Sequence, residues 1–198
     1  MLAQQQHQQR RQQLRQQIRQ QRRALTPAQQ QQAAHAVTAR ALQYGPVINA
    51  HTVALFMSVD GELDTQPLIQ ALWEQGKTVC LPVLHPFSAG QLLFLRYSAD
   101  TPLITNRLRI PEPPLDIQQL VPLAQLDVLM MPLVAFDTQG QRLGMGGGFY
   151  DRTLQCWQQY GFQRVGLAHD CQQVDSLPAQ SWDIPLPAVL TPSRLWQW

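Results

Sequence analysis

The chain has 198 residues, of which 44% are hydrophobic and 14% are charged, so it is neither too short nor too polar to fold around a core. Its net charge of +2 is close to neutral, which argues against nucleic-acid binding as a property of the whole surface. Residues 1–23 hold six arginines and no acid, so the basic character is local. We expect one domain, residues 1–198, with residues 1–23 as a basic helical arm.

The cysteine spacing and the hydropathy indicate an intracellular protein. Cys80, Cys156 and Cys171 lie far apart without a Cys-x-x-Cys pair, which is typical of reduced thiols rather than of disulfides or a zinc site. No apolar run is long enough to span a bilayer, and the Gln/Arg-rich start lacks the apolar segment of a secretory signal. We therefore expect a cytoplasmic protein without a membrane partner.

The arm has a composition that tolerates a helix, with Leu14, Ile18 and Leu25 on the face that would pack against the body. Its arginines recur every three to four residues and would form one stripe on that helix: Arg11, Arg15, Arg19 and Arg22 or Arg23. Three interpretations stay open from the pattern. The stripe is a solvated basic face, a surface that binds an anionic ligand such as phosphate, or, less favoured because aromatics are absent, a contact for RNA or a membrane.

A βαβ unit follows the arm. The apolar run from Thr52 to Met57 predicts a strand that is buried on both faces, and Thr78 to Val83 predicts a second one. Between them, Thr65 is placed to cap a helix from Gln66 to Gln75. Strand, helix and strand within about thirty residues indicate a parallel sheet with a right-handed crossover.

The remaining elements extend this pattern. They are a helix opened by the capping box Thr26-Pro27-Ala28-Gln29 and running to about Gln43, an antiparallel or edge strand at 92–97, strands at 128–134, 164–168 and 188–191, a helix at about 148–160, and a docked tryptophan-containing tail at 195–198. The proline-rich stretch 99–122 is predicted to be an ordered, functional loop. The sequence thus predicts an α/β fold with three αβα layers, a mostly parallel Rossmann-like sheet and an N-terminal basic helix.

Ligands of open α/β sheets bind beyond the carboxyl ends of the strands, and four polar clusters fall there. They are Glu62 with Asp64, Glu112, the glycine-rich stretch 137–152, and the segment from His169 to Asp183. The stretch 137–152 has five of the eleven glycines, at 140, 144, 146, 147 and 148. It lacks the Gly-Lys-Ser/Thr of a P-loop, and Phe149 occupies the place of the third glycine of a dinucleotide-binding loop. A phosphate cradle and a structural tight turn are both compatible with it.

Two charged residues bear on that choice. An acid beside a phosphate cradle repels the ligand unless a cation lies between them, so Asp151 suggests a magnesium ion; alternatively, Asp151 only favours the helix N-terminus and pairs with Arg152. Arg142 is equally compatible with phosphate binding and with an ion pair. Phe149 or Tyr150 would stack on a flat ring or belong to the core.

The run Arg-Leu-Gly-Met-Gly-Gly-Gly-Phe-Tyr-Asp-Arg at 142–152 resembles the signature of the 5-formyltetrahydrofolate cyclo-ligase family. Further matching segments are Arg11-x-x-Leu14-Arg15, Gly61-Glu62-Leu63-Asp64-Thr65, Gly76-Lys77 before a strand with Leu81-Pro82, Glu112-Pro113, Pro132-x-x-Ala135-Phe136-Asp137 and Trp182-Asp183. The resemblance implies an ATP- and Mg²⁺-dependent ring closure of 5-formyltetrahydrofolate to 5,10-methenyltetrahydrofolate, with ADP and phosphate as the other products. We also expect a monomer whose partners are ATP and 5-formyltetrahydrofolate, without nucleic acid.

The resemblance carries roles to individual positions. ATP would be bound by Arg11, Arg15, Arg142, Leu143, Gly144, Met145, Gly146, Gly147, Gly148, Phe149 and Tyr150. The folate would be bound by Met57, Glu62, Gly147, Gly148, Phe149, Tyr150 and Asp151, and the metal by Asp151 and Asp183.

Four positions depart from the family pattern. The family commonly has lysine at 11, often has a basic residue at 147, and tends to have histidine at 182 and an acid near 187, whereas this chain has Arg11, Gly147, Trp182 and Pro187. Two other interpretations remain: a sugar-phosphate isomerase-like enzyme on a related sheet, and a basic-arm RNA-binding protein. The first needs a proton-abstracting base but no arginine stripe, and the second leaves the glycine-rich stretch unexplained.

Overall fold

The structure is a computed structural model that describes residues 2–180 and 182–198, with side chains from Gln5 onward. Its α-helices are α1 (Leu2–Arg23), α2 (Pro27–Ala41), α3 (Gly45–Asn49), α4 (Gln66–Glu74) and α5 (Phe149–Thr153). Its strands are β1 (Thr52–Ala54), β2 (Thr78–Leu84), β3 (Leu92–Tyr97), β4 (Ile104–Thr105), β5 (Pro111–Glu112), β6 (Val128–Pro132), β7 (Ala135–Phe136), β8 (Arg142–Leu143), β9 (Gln163–Leu167), β10 (Ala188–Leu190) and β11 (Leu195–Gln197). Short 3₁₀-helices lie at Ile117–Gln119, Leu123–Gln125, Trp157–Gln159 and Asp170–Gln172.

Seven strands form one sheet in the order β11-β10-β9-β6-β1-β2-β3. The five inner strands are parallel, and an antiparallel strand closes each edge. The unit β1-α4-β2 is parallel, with Thr52 opposite Thr78, as the buried apolar runs predicted. The α/β class with a mostly parallel sheet is therefore confirmed.

A hydrophobic core lies on each face of the sheet. One face packs against α2, α3 and α4, with Val37, Val47 and Leu72 fully buried against Leu55 and Val128. The other face is covered by the segment after α5 and by the C-terminal aromatics, in a second cluster built around Phe136, Leu129, Leu154 and Phe162. None of the helices in the described part of the chain combines the length and apolar character that a bilayer crossing requires.

Helix α1 lies over the carboxyl ends of the strands. Ile18 is 3% exposed and packs with Leu14 on Val134, Ala135 and Leu143, just beyond β6. The predicted contact of Leu14 and Ile18 with the body is confirmed. The helix thereby forms one wall of the region in which α/β folds bind ligands.

The capping box of α2 and the docked C-terminal residues were both predicted from the sequence. Thr26 and Gln29 form the capping box of α2, which ends at Ala41 rather than Gln43. The tail is docked, since β11 pairs with β10 and the indole Nε1 of Trp198 donates to the carbonyl of Thr138 at 2.6 Å.

Two predictions around β1 need correction. The strand ends at Ala54 rather than Met57, because the chain turns away after the Leu55 amide has bonded the Cys80 carbonyl. Thr65 occupies the N-cap position of α4 as predicted, but its side chain makes no capping bond, since its buried hydroxyl donates instead to the Phe56 carbonyl at 2.6 Å. Asp64 accepts the amide of Gln66 at 3.0 Å and takes the role that the sequence suggested for its neighbour.

The prediction of one long helix at 148–160 is also wrong. α5 ends at Thr153, and a 3₁₀-helix follows at Trp157–Gln159. The apolar residues Leu154, Trp157 and Tyr160 recur every three residues, which is the period of a 3₁₀-helix rather than of an α-helix. Their backbone follows that spacing, since the amides of Trp157 and Tyr160 bond the carbonyls three residues earlier.

Candidate active site

A cleft of about 1720 Å³ opens beyond the carboxyl ends of β1, β2 and β6. One wall is α1, a second is the loop after β1, and a third is the glycine-rich stretch with the start of α5. A fourth is formed by residues of the segment 106–112, by Gln180 and by the segment 182–185. Residues from both ends of the chain therefore meet at the edge where the topology predicts a ligand.

Two arginines of α1 point into this cleft. Arg11 holds Asp183 through two parallel bonds, Nη1 to Oδ2 at 2.5 Å and Nη2 to Oδ1 at 2.9 Å, and also donates to the carbonyl of Pro178. Arg15 donates its Nε to the carbonyl of Gly144 at 2.8 Å and has no carboxylate partner among the described residues. Burial and the charge of Arg11 lower the pKa of Arg15. The cleft therefore presents an arginine whose charge is not neutralised by an acid.

Three further arginines of α1 converge on one acid in the loop after β1. Asp60 accepts from Arg19 at 2.7 Å and from Arg22 at 2.8 Å, and it pairs with Arg23. Arg22 is completely buried and also donates its Nε to the backbone carbonyl of Asp60. Burial alone would raise the pKa of Asp60, but the three arginines lower it to about 2. This hub fixes α1 to the loop that carries Glu62.

Glu62 lies deep in the cleft, with 9% of its surface exposed. Its Oε2 accepts the Val59 amide at 3.2 Å, and its Oε1 lies 3.8 Å from Arg22. Burial raises its pKa to about 7, and Arg22 opposes that rise. The hydroxyl of Tyr150 is buried without a partner in the described chain, and burial together with the charge of Glu62 raises its pKa. A buried carboxyl and a buried hydroxyl are thus available to a ligand.

The glycine-rich stretch reaches the cleft as an irregular loop. Gly146 and Gly148 have φ values of 100° and 66°, which L-residues with a side chain rarely adopt, and Gly148 precedes the first residue of α5. At Gly147, which has an ordinary φ, a Cβ would lie 2.9 Å from the Phe149 ring. The backbone here is open to the cleft at positions where side chains would be strained or crowded.

Arg142 and Asp151 form an ion pair on the floor of this loop, with side chains 3% and 19% exposed. Asp151 therefore pairs with Arg142, and the alternative pair with Arg152 is wrong. The Nε of Arg142 is buried and has no partner in the described chain, so part of this guanidinium is left for a ligand. Of the two alternatives for Arg142, the ion pair is present and phosphate binding stays a prediction.

The structure brings the predicted site residues together with one exception. Lining the cleft are Arg11, Arg15, Met57, Glu62, Arg142, Gly144, Met145, Gly146, Gly147, Gly148, Phe149, Tyr150, Asp151 and Asp183. Leu143 is absent from this lining, because its side chain is 1% exposed and packs under α1 with Ile18. A role of the Leu143 side chain in binding ATP is therefore not supported.

The other polar clusters of the sequence divide into structural and cleft residues. Glu112 lines the cleft but is occupied by the amide of Leu84 at 3.0 Å and by the side-chain amide of Asn106 at 2.8 Å. Asp64 caps α4. Asp170 accepts from Ser193 outside the cleft. Of the long segment from His169 to Asp183, its last residue is the acid that reaches the site.

Several cleft residues were not assigned a role in the site from the sequence. Asn106 and Arg109 belong to the proline-rich stretch that was predicted to be functional as a whole, and Arg109 has a φ of 61°. Trp182, which the sequence marked as a departure from the family pattern, lines the cleft with 62% of its surface exposed. Arg152 lines the glycine loop. Asp60 also lines the cleft.

Comparison with known proteins identifies the family of the chain. Residues 7–192 match the model of the 5-formyltetrahydrofolate cyclo-ligase family. A 5-formyltetrahydrofolate cyclo-ligase of Escherichia coli K12 is 65% identical over 177 residues, which cover 89% of this chain and 97% of that protein. The one of Mycolicibacterium smegmatis is 33% identical over 175 residues, covering 87% and 89%.

Solved structures show the same fold. The NMR structure of the 5,10-methenyltetrahydrofolate synthetase of Aquifex aeolicus has a TM-score of 0.80 at 26% identity, and the alignment covers 94% of this chain and 92% of that one. A synthetase of the same name from Mycoplasma pneumoniae has a TM-score of 0.72 at 22% identity, covering 92% and 98%, and supports the fold alone. The chain belongs to the 5-formyltetrahydrofolate cyclo-ligase family and is an enzyme of that family.

Proposed function

We propose that the protein catalyses the ATP-dependent cyclisation of 5-formyltetrahydrofolate to 5,10-methenyltetrahydrofolate, with release of ADP and phosphate, through a phosphorylated formyl intermediate. The observation that carries this proposal is the meeting, in one cleft, of three arginines, two carboxylates and an open glycine loop: Arg11, Arg15, Arg142, Asp151, Asp183 and residues 144–148. Phosphoryl transfer requires chiefly positioning and charge neutralisation, which such a set supplies.

The phosphates would lie between α1 and the glycine loop. Arg15 spans that gap, since its Nε already bonds the Gly144 carbonyl while the rest of the guanidinium faces the cleft without an acid partner. The buried Nε of Arg142 supplies a further donor. Arg11 is bonded to Asp183, and its guanidinium would also donate to a phosphate oxygen.

The acids fit a magnesium ion that is bound together with phosphate. Mg²⁺ is usually held by one or two carboxylates plus substrate phosphates rather than by a complete protein cage. Asp151 and Asp183 line the same cleft, and the described residues contain no cluster of three or more His, Cys, Asp or Glu that would form such a cage. Asp151 and Asp183 would hold the ion, which would neutralise charge on the transferring phosphoryl group.

The folate would enter beside the loop after β1. Glu62 presents two buried carboxyl oxygens next to the half-buried Met57, so it can accept two N–H groups of a flat pterin ring while Met57 contacts the ring face. The hydroxyl of Tyr150, which also lines the cleft, is buried and lacks a partner in the described chain. These groups would orient the formyl oxygen towards the phosphates.

The reaction then needs two nucleophilic steps. The formyl oxygen attacks the γ-phosphorus, the bond from that phosphorus to the bridging oxygen breaks, and ADP leaves. N10 of the folate next attacks the activated formyl carbon, its N–H proton passes to solvent, and phosphate departs with the former formyl oxygen as the ring closes. Arg15 and Arg142 would stabilise charge on the phosphoryl oxygens, and Glu62 would keep the ring in place for both steps.

The direct test is the absorbance rise of the methenyl product when purified protein is mixed with 5-formyltetrahydrofolate and Mg-ATP. We expect a rise that requires all three components, with ADP and phosphate formed in equal amounts. Samples without ATP and samples with a non-hydrolysable ATP analogue are the controls. Folded protein that gives no product, or product formation without ATP, would contradict the proposal.

A further inference from the structure

The guanidinium of Arg152 is enclosed between two glycines from distant parts of the chain. Its Nε donates to the carbonyl of Gly90 at 3.0 Å, and its Nη2 donates to the carbonyl of Gly147. Gly90 lies in the turn between β2 and β3, whereas Gly147 and Gly148 belong to the glycine loop of the cleft. One side chain therefore joins the loop to the edge hairpin of the sheet.

The guanidinium of Arg152 approaches the backbone of Gly90 and of Gly148 closely. A Cβ on Gly90 would overlap the Nε, Cζ and Nη2 atoms of Arg152, well inside contact distance. A Cβ on Gly148 would lie 2.8 Å from its Nη1. Both glycines also have positive φ, 79° and 66°. The close approach of a planar cation to two backbones thus depends on the absence of side chains at both positions.

The charge of Arg152 is not used in an ion pair within the described residues. The neighbouring Asp151 is taken by Arg142. Arg152 instead makes charge-assisted bonds to two carbonyls, which are stronger than bonds between neutral groups, and its Cζ lies 5.7 Å from the centre of the Phe149 ring. Arg152 is exposed as a whole residue, but its guanidinium donates to the backbone carbonyls of Gly90 and Gly147.

A second contact supports the same connection. The Leu92 amide, at the start of β3, donates to the hydroxyl of Thr153 at 2.8 Å, and this hydroxyl donates to the Phe149 carbonyl at 2.7 Å. The hairpin turn is itself held by His85, whose Nδ1 accepts two backbone amides. The loop and the short α5 are therefore attached to a fixed hairpin rather than to each other alone.

We propose that Arg152 is a positioning residue that fixes the glycine loop for Mg-ATP by clamping it to the turn at Gly90. The proposal rests on the proposed function of the cleft. It assigns Arg152 a role without contact to the substrate, and it assigns Gly90, which lies outside the loop, a role in the same site. Loss of the clamp should impair the use of ATP more than the binding of folate.

The sharpest variant is Gly90→Ala, because it displaces the guanidinium by roughly 1 Å without removing any charged group from the chain. Gly76→Ala is the matched control: Gly76 has a similar φ of 71°, so the backbone strain is the same, but nothing lies within 4 Å of its Cβ position. A misplacement of this size can cost on the order of 100-fold in kcat/KM. We expect that loss for ATP in Gly90→Ala and in Arg152→Ala, a smaller loss in Arg152→Lys, and near-normal kinetics in Gly76→Ala.

The double variant tests whether the two residues act as one unit. Once Arg152 is alanine, Gly90→Ala should cause little further loss in kcat/KM for ATP, since the group it displaces is gone. Amide exchange of Arg152 and Leu154, measured without nucleotide, should be faster in Arg152→Ala and Gly90→Ala than in Gly76→Ala. That readout would not change if Arg152 acted only by touching a phosphate.

The outcomes separate this proposal from the proposed function. Wild-type protein that is folded but inactive would contradict the proposed function. The amide-exchange rates of the variants would then still show whether Arg152 fixes the loop. Active wild type with Gly90→Ala indistinguishable from Gly76→Ala would overturn the clamp alone. An undiminished effect of Gly90→Ala in the Arg152→Ala background would overturn it as well. Thermal unfolding of each variant separates loss of the clamp from loss of the fold.

Discussion

The buried carboxyl of Glu62 should make the protein less stable at neutral and alkaline pH than it would be with a neutral side chain. Glu62→Gln keeps the shape and the hydrogen-bonding oxygen but removes the ionisable proton. In the folded protein, burial raises the pKa of Glu62 from 4.5 to about 7. A carboxyl with a raised pKa contributes stability fully below pH 4.5 and loses this contribution as the pH rises through 7.

The magnitude follows from that change. A pKa rise from 4.5 to about 7 corresponds to about 3 kcal/mol between the protonated and the ionised folded states. The stability gain of Glu62→Gln over wild type should therefore grow from about 1 kcal/mol at pH 5 to about 3 kcal/mol at pH 8. The same variant should raise the KM for 5-formyltetrahydrofolate, because one of two acceptor oxygens is lost.

Urea unfolding of both proteins at several pH values between 5 and 8 measures this difference. Glu74→Gln is the control, because Glu74 is exposed on α4 and its replacement should change stability little at any pH. A gain that does not depend on pH, or a Glu62→Gln variant that is less stable than wild type at pH 8, would refute the reasoning. The pKa of Glu62 would then not be controlled by its burial.

Three further predictions concern the charged groups around the cleft. Asp151→Asn should abolish most turnover in the absorbance assay while the circular dichroism spectrum stays native; near-normal activity would contradict its proposed metal role. Arg15→Ala should chiefly raise the KM for ATP, and a change confined to the folate KM would show that Arg15 is misassigned. Asp60→Asn should lower the free energy of unfolding by about 1–2 kcal/mol at pH 7, because the arginines lower the pKa of Asp60 from 3.8 to about 2 and solvent screens part of that gain. That loss should shrink as the pH falls from 3.8 towards 2, and a loss of equal size at pH 3 and pH 7 would contradict the ion-pair origin.

The sheet could be predicted because its signal is local. Continuous apolar runs such as Val128 to Met131 have no polar face, so they must be buried on both sides, and their spacing around α4 indicates a parallel crossover. The ends of the elements were less predictable. β1 stops early and α5 stops at Thr153 because tertiary bonds and a three-residue apolar period override local propensity.

The site could be predicted at the level of its residues but not of their partners. Asp151 was weighed as a partner of Arg152 because the two are adjacent, yet neighbouring residues on a helix point in different directions. The actual partner, Arg142, lies on β8, where the loop folds back. Likewise, nothing in the local sequence identifies Asp60 as the acid that three arginines of α1 share.

That shared acid links the two proposed substrate positions. Helix α1 packs on the body through Leu14 and Ile18, and the charged contacts at Asp60 add to its attachment. Asp60 lies two residues before Glu62, and α1 carries Arg11 and Arg15 into the cleft. A change at Asp60 would therefore move the arginines proposed for ATP and the carboxylate proposed for folate together. Docking of α1 and assembly of both binding positions are, on this structure, one structural event.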